Sequence, residues 1–364
     1  MTVVVVGGGV LGMMHAYEAQ AHGHDVVHLE REAGSRGASV RNFGLVWVSG
    51  RAHGAELQLA LRSRDLWEKA AAQVPGLGFR PHGSLTVART SDELAVMQAA
   101  AAQPDAADRE TTVLTPAEVT EVNPAVRGAV AGALWCRRDA IVEPRLVPSA
   151  LRRHLEQAGG YRWLPWHEAV EYADHAVRDQ YGDWHRGDRV ILCTGANYRG
   201  IAGSHLGSAP LRRVRLQMMQ TAPYEGSLTT SVADGDSLRY YPAYDLPALA
   251  SLAPQAESAA AWHSQLLMVQ RLDGSLTIGD THAYDEPFDF DVQEEPYDHL
   301  RAAAQAILGT GLPRTVRRWA GVYSQVTDDA LYHRAELAEG VEVVTGPGGR
   351  GMTCAPAIAE ETFR

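Results

Sequence analysis

Val3-Val4-Val5-Val6-Gly7-Gly8-Gly9-Val10-Leu11-Gly12 stands near the start of the chain. A helix-like segment over residues 13–21 follows, then a second apolar run, Val26-Val27-His28-Leu29, and then Glu30. The order is strand, glycine turn, helix, strand, acid, which is the order of a dinucleotide-binding βαβ unit. Gly7 makes the tight turn, Gly9 lets backbone N–H groups approach a pyrophosphate, and Gly12 lets the helix pack close to the strand. The helix N-terminus adds a partial positive charge for the phosphates. Glu30 ends the second strand, where a carboxylate can accept both ribose hydroxyls and would repel a 2′-phosphate, so FAD or NAD is expected rather than NADP. A glycine triplet alone would fit a tight turn in any α/β protein. The acid in register with the second strand is what favours the dinucleotide.

Length and charge narrow the rest. A chain of 364 residues can bury a large core and is expected to hold two domains. The formal charge of -11 argues against nucleic acid, and no basic run exceeds Arg212-Arg213-Val214-Arg215. The chain begins directly with a strand and has no basic leader pattern, so no secretory signal is expected. No apolar run is long enough to span a bilayer. Cys136, Cys193 and Cys354 lie far apart and match no metal or redox spacing. They are expected to be buried, reduced thiols in a cytoplasmic protein without a metal. Lys69 is the only lysine, and it falls in an amphipathic segment over 57–74, which leaves little room for lysine chemistry.

After Glu30 comes a polar, glycine-rich loop over 31–54, long enough for a functional role to be expected. The pattern then predicts a helix over 55–74, a strand over 84–88, a helix over 92–103 and a polar linker over 104–109. Thr115 and Glu118 form a capping box at a helix start. A strand is expected over 129–136. Glu143-Pro144 opens a helix to residue 158, which Gly159-Gly160 stops. Short strands fill 161–195 and end in an apolar run and small-residue turn over 188–196. Residues 213–280 alternate like antiparallel strands, with Asp273-Gly274 as a hairpin turn. A helix over 294–308, strands over 316–326 and 341–344, and a short final helix complete the chain. The fold class is α/β. A discontinuous Rossmann-like domain takes 1–80, 143–212 and 326–364. An inserted antiparallel-sheet α+β domain takes 81–142 and 213–325.

A second glycine turn, Gly348-Gly349-Arg350-Gly351, completes a wider pattern. With it the chain resembles, over essentially its whole length, the FAD-dependent amine oxidoreductases of the D-amino-acid oxidase and glycine oxidase family. Five stretches carry the resemblance in the family's order. They are Gly7 to Gly12 with Glu30, the loop from Gly37-Ala38-Ser39 to Asn42-Phe43-Gly44, the run from Val190 to Ala196, Leu276-Thr277-Ile278-Gly279-Asp280, and Arg350-Gly351-Met352-Thr353. The resemblance implies FAD rather than NAD, and a flavin that carries the chemistry. A neutral amine gives a hydride to flavin N5, and the resulting imine is hydrolysed, with no side-chain acid or base required. It also implies that Gly7, Gly9 and Gly12 hold the pyrophosphate and Glu30 the ribose. Arg31 would lie near the adenosine, unless it is an ordinary surface arginine. Ser39, Arg41, Asn42 and Gly44 would line the isoalloxazine and pyrophosphate, with Gly195 also at the cofactor. Gly349, Arg350, Gly351, Met352 and Thr353 would bring the last helix's N-terminus against the N1–C2=O edge of the reduced flavin.

Departures from the family pattern bear on the substrate. In Arg317-Arg318-Trp319-Ala320-Gly321-Val322-Tyr323-Ser324, Tyr323 stands where glycine oxidase-like sequences carry the arginine that clamps a carboxylate. Losing one partner of a buried charged pair typically costs about 2–5 kcal/mol, so a simple α-amino acid is not the expected substrate. Thr277 stands where related sarcosine oxidases carry a lysine that assists oxygen, which leaves oxygen or another electron acceptor open. Val322 stands near their flavin-tethering cysteine, so FAD is expected to be noncovalent. Two stretches, Ala38-Ser39-Val40-Arg41-Asn42-Phe43-Gly44 and Gly279-Asp280-Thr281-His282, are more similar to a subgroup proposed to oxidise aminophosphonates. The expected substrate is therefore a small anionic amine, an aminophosphonate or its N-methylated form. A phosphonate wants several donors around a tetrahedral centre. Arg41, His282, Tyr323, Tyr241 and Arg317 are the candidates, Arg317 being preferred to Arg318 because strand alternation puts it on the face of Trp319, Gly321 and Tyr323. Trp47, Trp319 and Tyr241 could enclose an alkylammonium. His282 could instead be a structural histidine, or the base of a 2-hydroxy-acid dehydrogenase. A small amino-acid oxidase and a non-catalytic flavoprotein partner stay open as alternatives, and the oligomeric state is not legible.

Overall fold

The valine run forms a strand, Thr2–Val6, at the centre of a six-stranded sheet in the computed structural model, which describes residues 1–364. It is buried on both faces, which is why it reads as continuous valine rather than as alternation. Arg189–Leu192 pairs with it in parallel on one side and Asp25–Glu30 on the other. The full order is His333–Ala338, Val341–Thr345, Arg189–Leu192, Thr2–Val6, Asp25–Glu30, Tyr161–Pro165. Only His333–Ala338 runs antiparallel to its neighbour. Parallel neighbours need long crossovers, so three distant stretches of chain must meet to build this sheet. The helices Val10–Ala21, Ala55–Gln73 and Gly351–Phe363 pack on one face around Met13, Met14, Trp67 and Ile358. A three-stranded antiparallel sheet, Ala169–Ala173, Ala176–Asp179 and Trp184–Arg186, contributes Ala169 and Val177 to the core on the other, with Val4, Leu29 and Val190.

The second sheet has eight strands in the order Thr315–Val326, Leu211–Pro223, Ser275–Gly279, Leu267–Gln270, Ser231–Ala233, Ser84–Ala88, Gly132–Cys136, Thr111–Leu114. Its strands pair antiparallel except Ser231–Ala233 with Ser84–Ala88, which come from distant stretches and run parallel. One face is covered by the helix Glu295–Leu308 through Tyr297, Leu300, Ala304 and Ile307. A second core joins Val214, Leu216, Met218 and Tyr323 to Phe43 and Trp47 of the long loop and to Tyr241. This second core brings the long loop onto the eight-stranded sheet, and the cleft described below opens beside it.

Local signals place most elements. Thr115 and Glu118 form the expected capping box, and Thr90 with Glu93 forms another, which starts its helix at Ser91. Asp273-Gly274 turns the hairpin with Gly274 at φ +82°. The helix expected from Glu143 starts instead at Val147. Glu143 is buried in the preceding turn, 2.8 Å from the Arg80 guanidinium and 3.7 Å from that of Arg271. The expected linker over 104–109 contains a helical turn, Ala106–Arg109, held by a buried Arg109–Asp105 pair at 2.7 Å. Thr111–Leu114 is an edge strand with no apolar alternation to announce it. No helix is long and apolar enough to cross a membrane.

Candidate active site

The first glycine turn is shaped by backbone contact. Gly7 sits at φ +103°, and a Cβ there would lie 2.3 Å from the carbonyl oxygen of Cys193. A Cβ on Gly12 would lie 1.9 Å from the carbonyl oxygen of Gly7. Gly9 differs: its backbone is ordinary extended chain at φ -72° and ψ 176°, and a Cβ would meet only the Ser39 hydroxyl at 3.1 Å. The space in front of Gly9 is thus left open toward the helix N-terminus. Ser39 Oγ accepts the Val10 N–H at 2.9 Å. Glu30 is buried, and its carboxylate accepts the N–H groups of Gly8 at 2.6 Å and Glu32 at 2.9 Å. Asn42 staples the loop that follows, donating to the carbonyls of Ala38 and Ser39 at 2.8 and 2.9 Å and accepting the Gly44 N–H at 2.6 Å.

These groups open on a cleft of ≈ 1340 Å³ that runs from the N-terminal turn to the second glycine turn and an aromatic end. Of the residues singled out in the sequence, Gly7, Gly9, Glu30, Arg31, Ser39, Arg41, Asn42, Gly195, Gly349, Arg350, Gly351 and Met352 line it. So do Tyr241, His282 and Tyr323. Gly12 and Gly44 lie behind the wall, where close backbone approach requires glycine; a Cβ on Gly44 would stand 2.2 Å from the Val142 carbonyl oxygen. Thr353 is buried against the loop, accepting the Trp47 N–H at 2.9 Å and donating to the Leu45 carbonyl at 3.2 Å.

Arg317 and Trp319 do not reach the cleft. Arg317 shares its strand face with Tyr323, as alternation requires, but stands six residues away, roughly 20 Å at ~3.3 Å per residue. It is exposed and donates to Gln220 at 3.2 Å. Trp319 donates to the Arg41 carbonyl at 3.2 Å, with the Arg145 guanidinium 4.7 Å from its ring. Arg318 pairs with Glu294 at 2.9 Å.

At the aromatic end, His282 is 3% exposed, donates from Nδ1 to the His263 carbonyl at 3.0 Å and stacks on Tyr240 at 4.3 Å. The Tyr240 and Tyr323 hydroxyls meet each other and face Gly349, where a Cβ would lie 3.4 and 3.9 Å from them. Burial holds the phenols of Tyr240, Tyr241 and Tyr323 well above their ordinary range, so they stay protonated as donors. Five side chains carry further chemistry at this end, and the sequence reading gave no role to Arg51, Gln265 or Asp280. Arg51 is buried, donates from Nε to the Trp47 carbonyl at 2.9 Å, and lies 3.5 Å from Glu56. Arg350 lies 3.0 Å from the same Glu56 oxygen. Two guanidinium groups therefore share one carboxylate, which leaves a surplus positive charge in the wall. Arg51 also lies 5.8 Å from the Tyr241 ring. Beside it, Trp47 Nε1 is a buried donor without an acceptor. Gln265 and Asp280 are the other two. For Arg51 the one local signal was its spacing to Glu56 in the first turn of the following helix.

The donor set fits a dinucleotide: an open backbone cradle at Gly9, a helix N-terminus, a carboxylate at the second strand's end, and a second helix start at Gly351. Thr194 Oγ1, buried in the same wall without a partner, adds an unclaimed hydroxyl.

A family model described as "FAD dependent oxidoreductase" matches residues 2–364. The chain is 31% identical over 240 residues to 4-methylaminobutanoate oxidase (formaldehyde-forming) of Paenarthrobacter nicotinovorans, covering 62% of this chain and 28% of that protein. It is 30% identical over 243 residues to a putative thiamine biosynthesis oxidoreductase of Rhizobium etli, covering 64% of each. The matches thus span less than two thirds of either relative's length. Among solved structures, glycine oxidase from Bacillus cereus superposes with a TM-score of 0.80 at 18% identity, covering 99% of this chain and 93% of that one. L-proline dehydrogenase from P. horikoshii does so with a TM-score of 0.80 at 20% identity, covering 99% and 91%. At these identities the likeness is one of fold.

Proposed function

The chain belongs to the FAD-dependent oxidoreductase family, and we propose that it oxidises the C–N bond of a small anionic amine, an aminophosphonate or its N-methylated form. The observation that carries this reading is the pair of guanidinium groups, Arg51 and Arg350, in the wall at the aromatic end of the cleft. Arg51 and Arg350 share Glu56 there, while Tyr323 takes the strand position of a carboxylate-clamping arginine. A phosphonate offers three oxygens and up to two charges, more than one arginine satisfies. Arg51, Arg350, Trp47 Nε1 and the Tyr241 and Tyr323 hydroxyls together suit it.

Bound FAD supplies the acceptor for a hydride equivalent from the amine carbon. The chain's own residues do the rest. Gly7, Gly9 and the helix start behind them hold the pyrophosphate, and Gly12 lets that helix come close. Glu30 keeps lone pairs for the ribose hydroxyls after accepting two backbone N–H groups, because a carboxylate has about four acceptor sites. The N–H groups of Gly351 and Met352 offer partial positive charge to the flavin edge. Val322, with no thiol, supports noncovalent FAD. The three free, buried cysteines support a reducing, cytoplasmic setting.

The relative named 4-methylaminobutanoate oxidase favours a second reading, an N-methyl amino acid as substrate. One experiment separates the two. Flavin-loaded protein is mixed without oxygen with 2-aminoethylphosphonate, its N-methyl form, glycine, sarcosine and 4-methylaminobutanoate, and bleaching of the flavin is followed. Fastest bleaching by a phosphonate is expected. Bleaching by the carboxylates alone would assign the protein to amino acids, and readmitting oxygen or a dye then identifies the acceptor.

A further inference from the structure

Three buried carboxylates face the cleft, and two of them are already partnered. Glu30 accepts two backbone N–H groups, and Glu56 lies between Arg51 and Arg350. Asp280 is different. It is 5% exposed, its Oδ2 lies 3.8 Å from His282 Nε2, and its Oδ1 has no donor. The imidazole does not supply one. Its Nδ1 hydrogen goes to the His263 carbonyl, and its Nε2, at 3.8 Å, stands beyond hydrogen-bond reach of the carboxylate.

Gln265 stands directly across from Asp280. The two residues exchange both backbone hydrogen bonds, at 2.9 and 3.2 Å, which sets their side chains next to each other on one face. Gln265 is 3% exposed, lines the cleft, and its Oε1 also has no donor. Buried acceptors rarely go without a donor, and here two adjacent ones do, in the wall of one cleft. A ligand that donates would answer both. Burial pushes the Asp280 carboxyl above its usual range, His282 and Gln265 opposing it, so a cation beside it would remove a standing penalty.

We propose that Asp280 and Gln265 form an ammonium subsite, separate from the head-group site at Arg51 and Arg350, that binds the substrate's protonated nitrogen by its N–H hydrogens, Asp280 then taking one of those protons to leave the neutral amine that gives up the hydride. This rests on the reading of the cleft as an amine-oxidising site. A secondary ammonium has two N–H groups and two acceptors meet it here. A primary ammonium keeps one hydrogen over, and a quaternary ammonium has none. The subsite therefore favours an N-monomethyl amine.

The test uses holoenzyme and the variants Asp280→Asn and Gln265→Leu, with affinity for the oxidisable amine read from the concentration dependence of flavin bleaching and affinity for the other probes from perturbation of the flavin absorbance. The probes are N-methyl-2-aminoethylphosphonate without oxygen, its trimethylammonium analogue, ethylphosphonate, and dimethylammonium chloride. Asp280→Asn is expected to weaken N-methyl-2-aminoethylphosphonate at least about tenfold, as for a lost charged hydrogen bond, and Gln265→Leu less. Ethylphosphonate, which has no nitrogen, is expected to bind both variants within about twofold of wild type, and this also reports an intact fold. The trimethylammonium analogue, which has no N–H, should bind wild type more weakly than N-methyl-2-aminoethylphosphonate. If Asp280→Asn binds the secondary amine as wild type does, or weakens it and ethylphosphonate equally, the subsite is wrong, although bleaching of the wild-type flavin would leave the oxidase reading standing. If no amine bleaches the wild-type flavin, dimethylammonium decides: binding lost in Asp280→Asn supports the subsite, and equal binding overturns it.

Discussion

Gly9→Ala and Gly12→Ala change the same motif by the same methyl group, and the geometry predicts opposite consequences for the fold. At Gly12 the added Cβ would sit 1.9 Å from the Gly7 carbonyl oxygen, where non-bonded carbon contacts prefer about 3.5 Å. Backbone must move by over an ångström, and nothing flexible can yield in its place. That carbonyl also accepts a hydrogen bond from His28 Nε2 at 3.1 Å, so the displacement spreads to the second strand. Overpacking typically costs about 1–3 kcal/mol, and a backbone clash belongs at the upper end. For a chain of this size, which unfolds with about 0.8 kcal/mol/K of entropy, the melting midpoint of apoprotein should fall by about 4 °C. At Gly9 the backbone is already one that alanine adopts, and the only contact is a serine hydroxyl at 3.1 Å, which can rotate away. Apo Gly9→Ala should melt within about 1 °C of wild type, since changes that disturb no packing usually stay within ±0.5 kcal/mol. Its methyl group instead occupies the approach to the pyrophosphate, so FAD affinity, read by quenching of flavin fluorescence on titration of apoprotein, should fall at least tenfold. Gly12→Ala should lose both stability and affinity. Wild-type FAD affinity in Gly9→Ala would show that the pyrophosphate lies elsewhere. Wild-type melting in Gly12→Ala would show that the helix does not approach the turn this closely.

Arg51→Ala leaves Glu56 with Arg350 alone and removes a donor from the proposed head-group site; the dissociation constant for ethylphosphonate should rise about 30-fold or more, on the scale of a truncated buried charge pair. An unchanged constant in flavin-loaded variant protein removes Arg51 from the site. Burial, reinforced by Asp236, raises the Asp234 carboxyl to about 7. The folded chain then holds a proton that the unfolded chain releases between about pH 4 and pH 7, so this contribution is full below that window and is lost as pH rises through it. Asp234→Asn keeps an acceptor for the Leu266 N–H and should flatten the fall in urea midpoint from pH 5 to pH 8; equal slopes in variant and wild type would refute the assignment.

The difference between what the sequence revealed and what it hid follows from the range of each interaction. The N-terminal turn was legible because the positive φ of Gly7 and the approach of Gly12 to the Gly7 carbonyl arise within one βαβ unit, and backbone geometry leaves few residue types that fit. The hairpin at Asp273-Gly274 and the Thr115–Glu118 box were legible for the same reason: partners lie within a few residues. Arg317 shows where the pattern stops informing. Alternation has a period of two and no length, so it assigned the correct face of Thr315–Val326 but not the point at which that strand leaves the cleft. Gly321, Val322, Tyr323, Ser324 and Gln325 lie within it, while Arg317 has already passed into solvent. The polar complement of the aromatic end comes from elsewhere. Arg51 and Arg350 meet at Glu56 only because the last helix packs against Ala55–Gln73. Gln265 and Asp280 face each other only because the pairing shifts by one residue beyond Leu267 and Gly279; the register of the hairpin alone would set Gln265 against Thr281. A substrate site assembled from register and helix docking has no local signature, so the residues that choose the amine sit where periodicity is silent.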